Sequence, residues 1–577
     1  MNSLTCLLSL SVLTAAPAAP PTTLAKDSLL RAIPENPALY FGAWDLDKMR
    51  STSESSAWYR FFRDEQMQKL VNTMTSFFEE AMAESGDAPD LPFELSEICD
   101  SLRGSVAGFM QLHPEDETVV AGLFVEPGES RGQFEDLFDK FIELVSEEIE
   151  PTTDTYGQAE LTQFEMPDSE GNMTFLDSET LMGFILSNEP DFLLETVHGA
   201  IDRYTGQDAS EGFAGSTTLS EARRSSTGNV DFEFLFDAAP IIDMMLAEES
   251  PTEKELQLMQ SIGVTSLRWA YGTAGIGKGE AFDVSLAMHV PPSSMISEFV
   301  DLIGPAPVEL LKQMPANSQS VSISRFDIQG LYSLIMEGVR EFDDAAYQQA
   351  NGMIQMVGAM NGIDIEQDLL SQFNGNFASF VVEAETTETP SAWNEMMMGM
   401  ELGGTVLIGL TDGVEFETFV MDLLANFGLD EMIDTETFQG ADIHSVEFGE
   451  GAPSLHFTFT KNAFVYSMAP DPIREVVRMQ GQEDIPSAFD NKDLRALAGS
   501  LSGVGAFSLT DTRSMVETTL STFASLGNLM GMSGMEDNPL GYLPWPDSSI
   551  AGEYFKGEIV STVHRVGDTL RLHTWSK

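Results

Sequence analysis

Between Ala281 and Val290 apolar residues take every second place: Phe282, Val284, Leu286, Met288 and Val290 share one side of the chain, the two-residue period of a strand. Leu267 to Tyr271 alternates in the same way, so the Gly-rich segment between the two runs predicts a hairpin loop. Similar runs predict strands at Thr118 to Val125, Asn376 to Glu385, Gly404 to Leu410, Ser454 to Thr460 and Ala463 to Met468, the last two joined at Lys461-Asn462. Gly557 to Trp575 reads as a closing hairpin that turns at Gly567-Asp568. Helical spacing shows at Ser55 to Glu84, where Met67, Leu70, Val71, Met74, Phe77, Phe78, Ala81 and Met82 form one stripe. It shows again after each of two strands, through Leu144 and from Glu415 to Phe427. Ser250-Pro251-Thr252-Glu253 predicts another helix start, a capping box with Pro at the first helical position. Hairpins alternating with helices predict an α+β fold, antiparallel sheets with helices packed on one face.

The pattern recurs along the chain. Leu29, Leu30, Arg31, Pro34 and Asn36 meet Leu310, Leu311, Lys312, Pro315 and Asn317. SNEPDFLLETV from Ser187 matches SMAPDPIREVV from Ser467, and QFEDLFDKF from Gln133 resembles FVMDLLANF from Phe419. Three matches in order at nearly one offset predict an internal duplication: a signal segment over 1–18, then two similarly built halves over 19–305 and 306–577. Four strand-like runs end in an Asp that opens a helix-like run, at Asp45, Asp237, Asp327 and Asp511. Repetition at all four joints favours helix N-caps, each carboxylate accepting from an amide two or three residues on. The competing reading is a catalytic or metal-binding set, which requires that the carboxylates converge on one cavity.

Charge narrows the partners. With 92 acidic against 29 basic residues the net charge is −63, which argues against nucleic acid and anionic lipid, since both require a basic patch. The acidity fits solubility in a salty or exposed compartment, and divalent cations are the sharper alternative, although no EF-hand-type loop occurs. Leu7 to Ala16 is an apolar run of signal-peptide length followed by Ala16-Pro17-Ala18, so processing after Ala18 and a periplasmic or extracellular location are expected, with no transmembrane segment left after cleavage. Cys6 lies in that segment, which leaves Cys99 alone and an internal disulfide excluded; Leu95, Ile98 and Leu102 on the same helical face make Cys99 a small buried hydrophobe.

Candidate chemistry is sparse. Gly272 to Gly279 spells G-x-x-x-x-G-K-G, one residue short of a phosphate-binding loop: Gly279 stands where the magnesium-binding hydroxyl belongs, and a strand pattern follows where a helix is needed. The seven histidines, His113, His198, His289, His444, His456, His564 and His573, fall in separate segments without metal-ligand spacing. Met396, Met397, Met398 and Met400, and Met530, Met532 and Met535, hint at soft-metal binding, but Met353, Met356 and Met360 at helical spacing read as core filler. Leu30, Ile33, Pro34, Asn36 and Tyr40 form Leu-x-x-Ile-Pro-x-Asn-x-x-x-Tyr, an opening that resembles exported bacterial domain-of-unknown-function families, planctomycete-like ones among them. The resemblance implies export and brings no catalytic residues. The leading expectation is a non-enzymatic, cofactor-free binder of a protein partner or ligand at the cell envelope. The alternative is a hydrolase or metal-dependent enzyme using dispersed carboxylates.

Overall fold

The computed structural model describes residues 23–85, 103–128, 131–146, 149–165, 171–226, 230–249, 251–277, 279, 281–382, 404–447, 454–481, 485–492, 494–495, 497, 504–532 and 543–576. They fall into two compact units: 1–62, 78–291 and 568–575 in the first, 63–77, 292–567 and 576–577 in the second.

The first unit holds β1 (Leu39–Ala43), β2 (Ser105–His113), β3 (Thr118–Glu126), β4 (Thr152–Tyr156) and β5 (Ala159–Glu165). It continues with β6 (Asn172–Asp177), β7 (Met182–Ser187), β8 (Phe232–Asp237), β9 (Trp269–Ile276) and β10 (Phe282–His289). The second holds β11 (Ile303–Gly304), β12 (Ser318–Phe326), β13 (Phe373–Val382), β14 (Gly404–Leu410) and β15 (Ile433–Phe438). After them come β16 (Ala441–Glu447), β17 (Ser454–Phe459), β18 (Ala463–Ser467), β19 (Val504–Asp511) and β20 (Glu558–Val566). The last strand, β21 (Thr569–Ser576), pairs with β10 of the first unit.

All these pairings are antiparallel. Neighbours in the first unit run β21-β10-β9-β8-β1-β2-β3-β7-β6-β5-β4. In the second they run β20-β19-β12-β13-β14-β18-β17-β16-β15, with β11 beside the end of β12. From β9 to β4 and from β20 to β15 the two orders coincide strand for strand, and all are antiparallel meanders with one long return, as α+β folds allow. Pro190 and Pro470 open corresponding helices, Pro190–Thr205 after β7 and Pro470–Gly481 after β18.

Strand alternation sends the apolar residues of the first unit into two cores. Phe124, Leu161, Leu176 and Ile185 face the helices Thr23–Ala32 and Pro190–Thr205, which contribute Leu29, Leu30, Leu193 and Val197. Their neighbours Val125, Phe164, Phe175 and Met182 point the other way, onto Phe134 and Phe138 of the helix Arg131–Ser146.

Some local readings shift. The Gly-rich segment after β9 leads straight into β10, with Ile276 opposite Phe282, so the near phosphate loop is a hairpin and no helix follows it. Ser55 to Glu84 is two helices, Ala57–Phe62 and Glu65–Ser85, because the Asp64 carboxylate accepts from Gln66 N at 2.8 Å and starts a new one. The capping box belongs to Thr252 and Glu255, so the helix is Glu253–Ile262 and Pro251 lies ahead of the cap.

Candidate functional site

The most concentrated polar chemistry in the first unit is buried. β8 reads Phe-Glu-Phe-Leu-Phe-Asp, and alternation puts Glu233 and Leu235 on the face opposite to Phe232, Phe234 and Phe236. Glu233 is fully buried there, between Gly42 of β1 and Thr273 of β9. Gly42 makes the place: a Cβ on it would stand 2.3 Å from the Tyr40 hydroxyl and 2.6 Å from the Trp44 ring, so only glycine lets the two side chains meet above it. The Tyr40 hydroxyl and Trp44 Nε1 donate to Glu233 Oε1 at 3.1 and 3.2 Å. From β9 the Tyr271 hydroxyl donates to Oε2 at 2.5 Å. Arg223 closes the ring from the helix Thr217–Ser225, which Ser216 caps through Leu219 N. Its Nη2 donates to Oε1 at 2.5 Å and its Nε to Oε2 at 3.1 Å.

Five donors saturate the lone pairs of one carboxylate, and the side-on fork of Arg223 is the strong, geometry-setting form of the pair. Burial and the Glu233 charge push the Tyr40 and Tyr271 hydroxyls well above their ordinary pKa. Burial alone would lower the Arg223 guanidinium, but Glu233 outweighs it and raises it. A carboxylate so fully engaged is a fixed anchor for three strands and one helix; as a base or metal ligand it would have to give up bonds already made.

In the second unit the denser polar spot lies on β15 to β17. His444, 4% exposed, shares Nδ1 with the Thr435 hydroxyl at 3.0 Å and sets Nε2 3.4 Å from Glu417. On the other face Ser445 Oγ lies 2.7 Å from His456 Nδ1. Burial, then the nearby Arg474 charge, lowers the His456 pKa and favours the neutral ring.

The four aspartates stand at or just past the ends of β1, β8, β12 and β19. Asp45 accepts from Lys48 N at 3.1 Å, Asp237 from Ala239 N at 3.1 Å, Asp327 from Gly330 N at 3.0 Å and Asp511 from Ser514 N at 2.7 Å. Burial pushes the Asp237 carboxyl up against the opposing pull of its amide partner. Within a unit they do not converge. β1 and β8 are antiparallel, as are β12 and β19, so Asp45 and Asp237, and Asp327 and Asp511, sit at opposite ends of neighbouring strands, roughly 20 Å or more apart at about 3.3 Å per residue.

The methionine reading is corrected at Met353, Met356 and Met360. They lie on the helix Asp344–Asn361 at helical spacing but are 53%, 57% and 78% exposed, because the only buried residue of that helix is Gly358. Cys6, Cys99, Lys278, Met396, Met397, Met398, Met400 and Met535 lie outside the described residues, as does the signal segment 1–18. Among the described residues no group of three or more His, Cys, Asp or Glu is placed to hold a metal ion, and no helix is long and apolar enough to cross a membrane.

Glu233, Arg223, Trp44 and Tyr271 were not singled out by sequence reasoning. The available signal was an acid at an inward position of an alternating strand, with Gly42 flanked by two aromatics on another. No protein family, curated protein or solved structure matches the chain.

Proposed function

We propose that this is an exported, acidic binding protein that works by docking a partner at the cell envelope, and that the partner seats on one helical hairpin of the second unit. The observation that carries this is the face of the helices Ile328–Phe342 and Asp344–Asn361, joined through Asp343, whose carboxylate caps the second helix at Ala345 and Ala346 N. On these two helices Ile335, Phe342, Met353, Met356, Val357 and Met360 are between 47% and 78% exposed. Apolar groupings of this kind mark interaction surfaces, and methionine adapts to varied partner shapes. A cleft of about 240 Å³, lined by Tyr332, Met336, Arg340 and Tyr347, opens between the same two helices on another side of them. Its surroundings are acidic: Glu337, Glu341, Asp343, Asp344 and Glu366 stand against Arg340. An amphipathic helix with an apolar stripe and basic flanks complements both properties. The shared strand order of the two units supports duplication as the origin of the scaffold.

The test uses a synthetic amphipathic helical peptide of Leu and Lys, titrated into the full chain by calorimetry. Saturable binding that weakens at least about tenfold in Ile335→Lys and Met356→Lys, with unchanged circular dichroism, is expected. Equal binding of a Leu/Glu peptide, or no loss in either variant, overturns the proposal.

A further inference from the structure

The strand order of each unit stops on one side at a short acidic strand, β4 in the first and β15 in the second. Among the described residues each pairs with a single neighbour, β4 with β5 and β15 with β16. Every residue of β4 except Tyr156, and of β15 except Ile433 and Phe438, is exposed. The two hairpins also repeat in sequence and register. Thr153-Asp154-Thr155-Tyr156, a two-residue turn and Ala159-Glu160 match Thr435-Glu436-Thr437-Phe438, a two-residue turn and Ala441-Asp442. One acid thus recurs within the strand, at Asp154 and Glu436, and another opposite the second threonine, at Glu160 and Asp442. All four acids are exposed, so packing does not enforce the match. Inside the sheets, where packing decides, the two units have diverged: the place of Glu233 is held by Phe507.

The turns fix which backbone groups are open. Tyr156 and Ala159, like Phe438 and Ala441, flank a two-residue turn, so each pair exchanges both of its backbone bonds. Alternation then directs the amides and carbonyls of Thr153 and Thr155, and of Thr435 and Thr437, away from the sheet. The Asp154 carboxylate covers one of them, accepting from Thr155 N at 2.7 Å. An open row of this kind is a template for one more strand, and charge on it decides which strand. Acids at these positions repel the same edge of a second copy and attract a strand of opposite charge.

We propose that β4 and β15 are two like docking edges, each taking an extended segment of a basic protein partner with Lys or Arg at alternate positions. The segment adds as a further strand, its backbone paired with the outward groups of the two threonines. On β4 an incoming carbonyl takes the Thr155 amide and frees Asp154 to meet a cation. On β15 Glu436 is already held by Arg474 at 2.6 Å, which leaves Asp434 as the nearest free-standing acid of that strand. These edges do not depend on the reading of the helical hairpin.

The test is calorimetric titration of the full chain with a short synthetic peptide of alternating Val and Lys. Two sites per chain are expected, one in each of Thr153→Pro and Thr435→Pro, and none when the two are combined. Proline at these places removes an outward amide and spares the ladder to β5 or β16. Asp154→Lys together with Asp434→Lys reverses two exposed charges without touching the backbone, and is expected to weaken binding at least about tenfold. A Val/Lys peptide N-methylated at alternate residues, which keeps its charge and cannot pair, is expected not to bind. Equal binding of the methylated peptide or of a Val/Glu peptide, or two sites retained in either proline variant, overturns the proposal. So does self-association of the free chain that the Val/Lys peptide disperses, which would give the edges to a second copy.

Discussion

At the centre of the first unit's sheet β1 sets Gly42 against Glu233; at the same place in the second unit β12 sets Ile323 against Phe507. The positions of Tyr40 and Tyr271, on either side of Leu235, fall on Val321 and Val560, on either side of Leu509. All of these side chains are buried. Counted from the caps Ser216 and Asn491, the position of Arg223 falls on Ala498, which lies outside the described residues. One strand order thus accepts either a hydrogen-bonded ion pair or a plain apolar filling at its middle. The architecture itself does not require the charge. Desolvating Glu233 and Arg223 offsets much of their attraction, so the polar version holds no necessary advantage in stability. What it adds is direction: the fork of Arg223 fixes where the helix Thr217–Ser225 sits on the strands, which interchangeable apolar contacts do not.

The sharpest way to break this comparison is Arg223→Ala. It leaves Glu233 buried without its counter-charge, and the first unit should lose about 3–5 kcal/mol. Amides of β1 and β8 should then exchange hydrogen faster in deuterium while those of β12 and β19 keep their protection; equal acceleration in both would show that the units do not respond separately. Converting the cluster wholesale, with Tyr40→Val, Arg223→Ala, Glu233→Phe and Tyr271→Val together, should be neutral or stabilising by up to about 4 kcal/mol in urea unfolding. A loss of several kcal/mol would mean that the polar set cannot be exchanged for the filling used in the second unit.

Alkaline pH should separate the units more gently. Tyr40 and Tyr271 have raised folded pKa values, against about 10 when unfolded. The stability they contribute is whole below pH ~10 and drains away as pH climbs toward the folded values, by about 1.4 kcal/mol per pH unit for each tyrosine. Hydrogen exchange from pH 9 upward should show β1 and β9 loosening before β12 and β20; the reverse order would contradict the assignment. The smallest effects belong to the caps. Asp327→Ala should lose about 0.5–2 kcal/mol by thermal unfolding, and Asp45→Ala somewhat more, since Asp45 has φ 55°, a left-handed conformation that alanine tolerates poorly.

Much of this was legible in the chain because it is local. The period-2 run that starts at Phe282 is β10, which ends at His289, and the acids at or just past the ends of four strands have their amide partners two or three residues away. The Glu233 centre was not legible, because its donors come from β1, from β9 and from a helix, and only their meeting in space turns an acid in a strand into an anchor. Met353, Met356 and Met360 show a related limit: spacing assigns them to one helical face, but periodicity is silent on whether anything lies against that face.

The pairing of β21 with β10 also sets a timetable. A strand that closes the first unit's sheet is synthesised after every residue of the second unit's sheet. From the moment β10 leaves the ribosome until residues 569–575 follow, its outer row of amides and carbonyls has no partner, and Val284 and Leu286 lie along it, 43% and 39% exposed even in the finished fold. An open apolar edge is a template for strands of other chains. A nascent or clipped chain lacking its last strand should therefore self-associate through β10, and a free peptide of the β21 sequence should suppress that association.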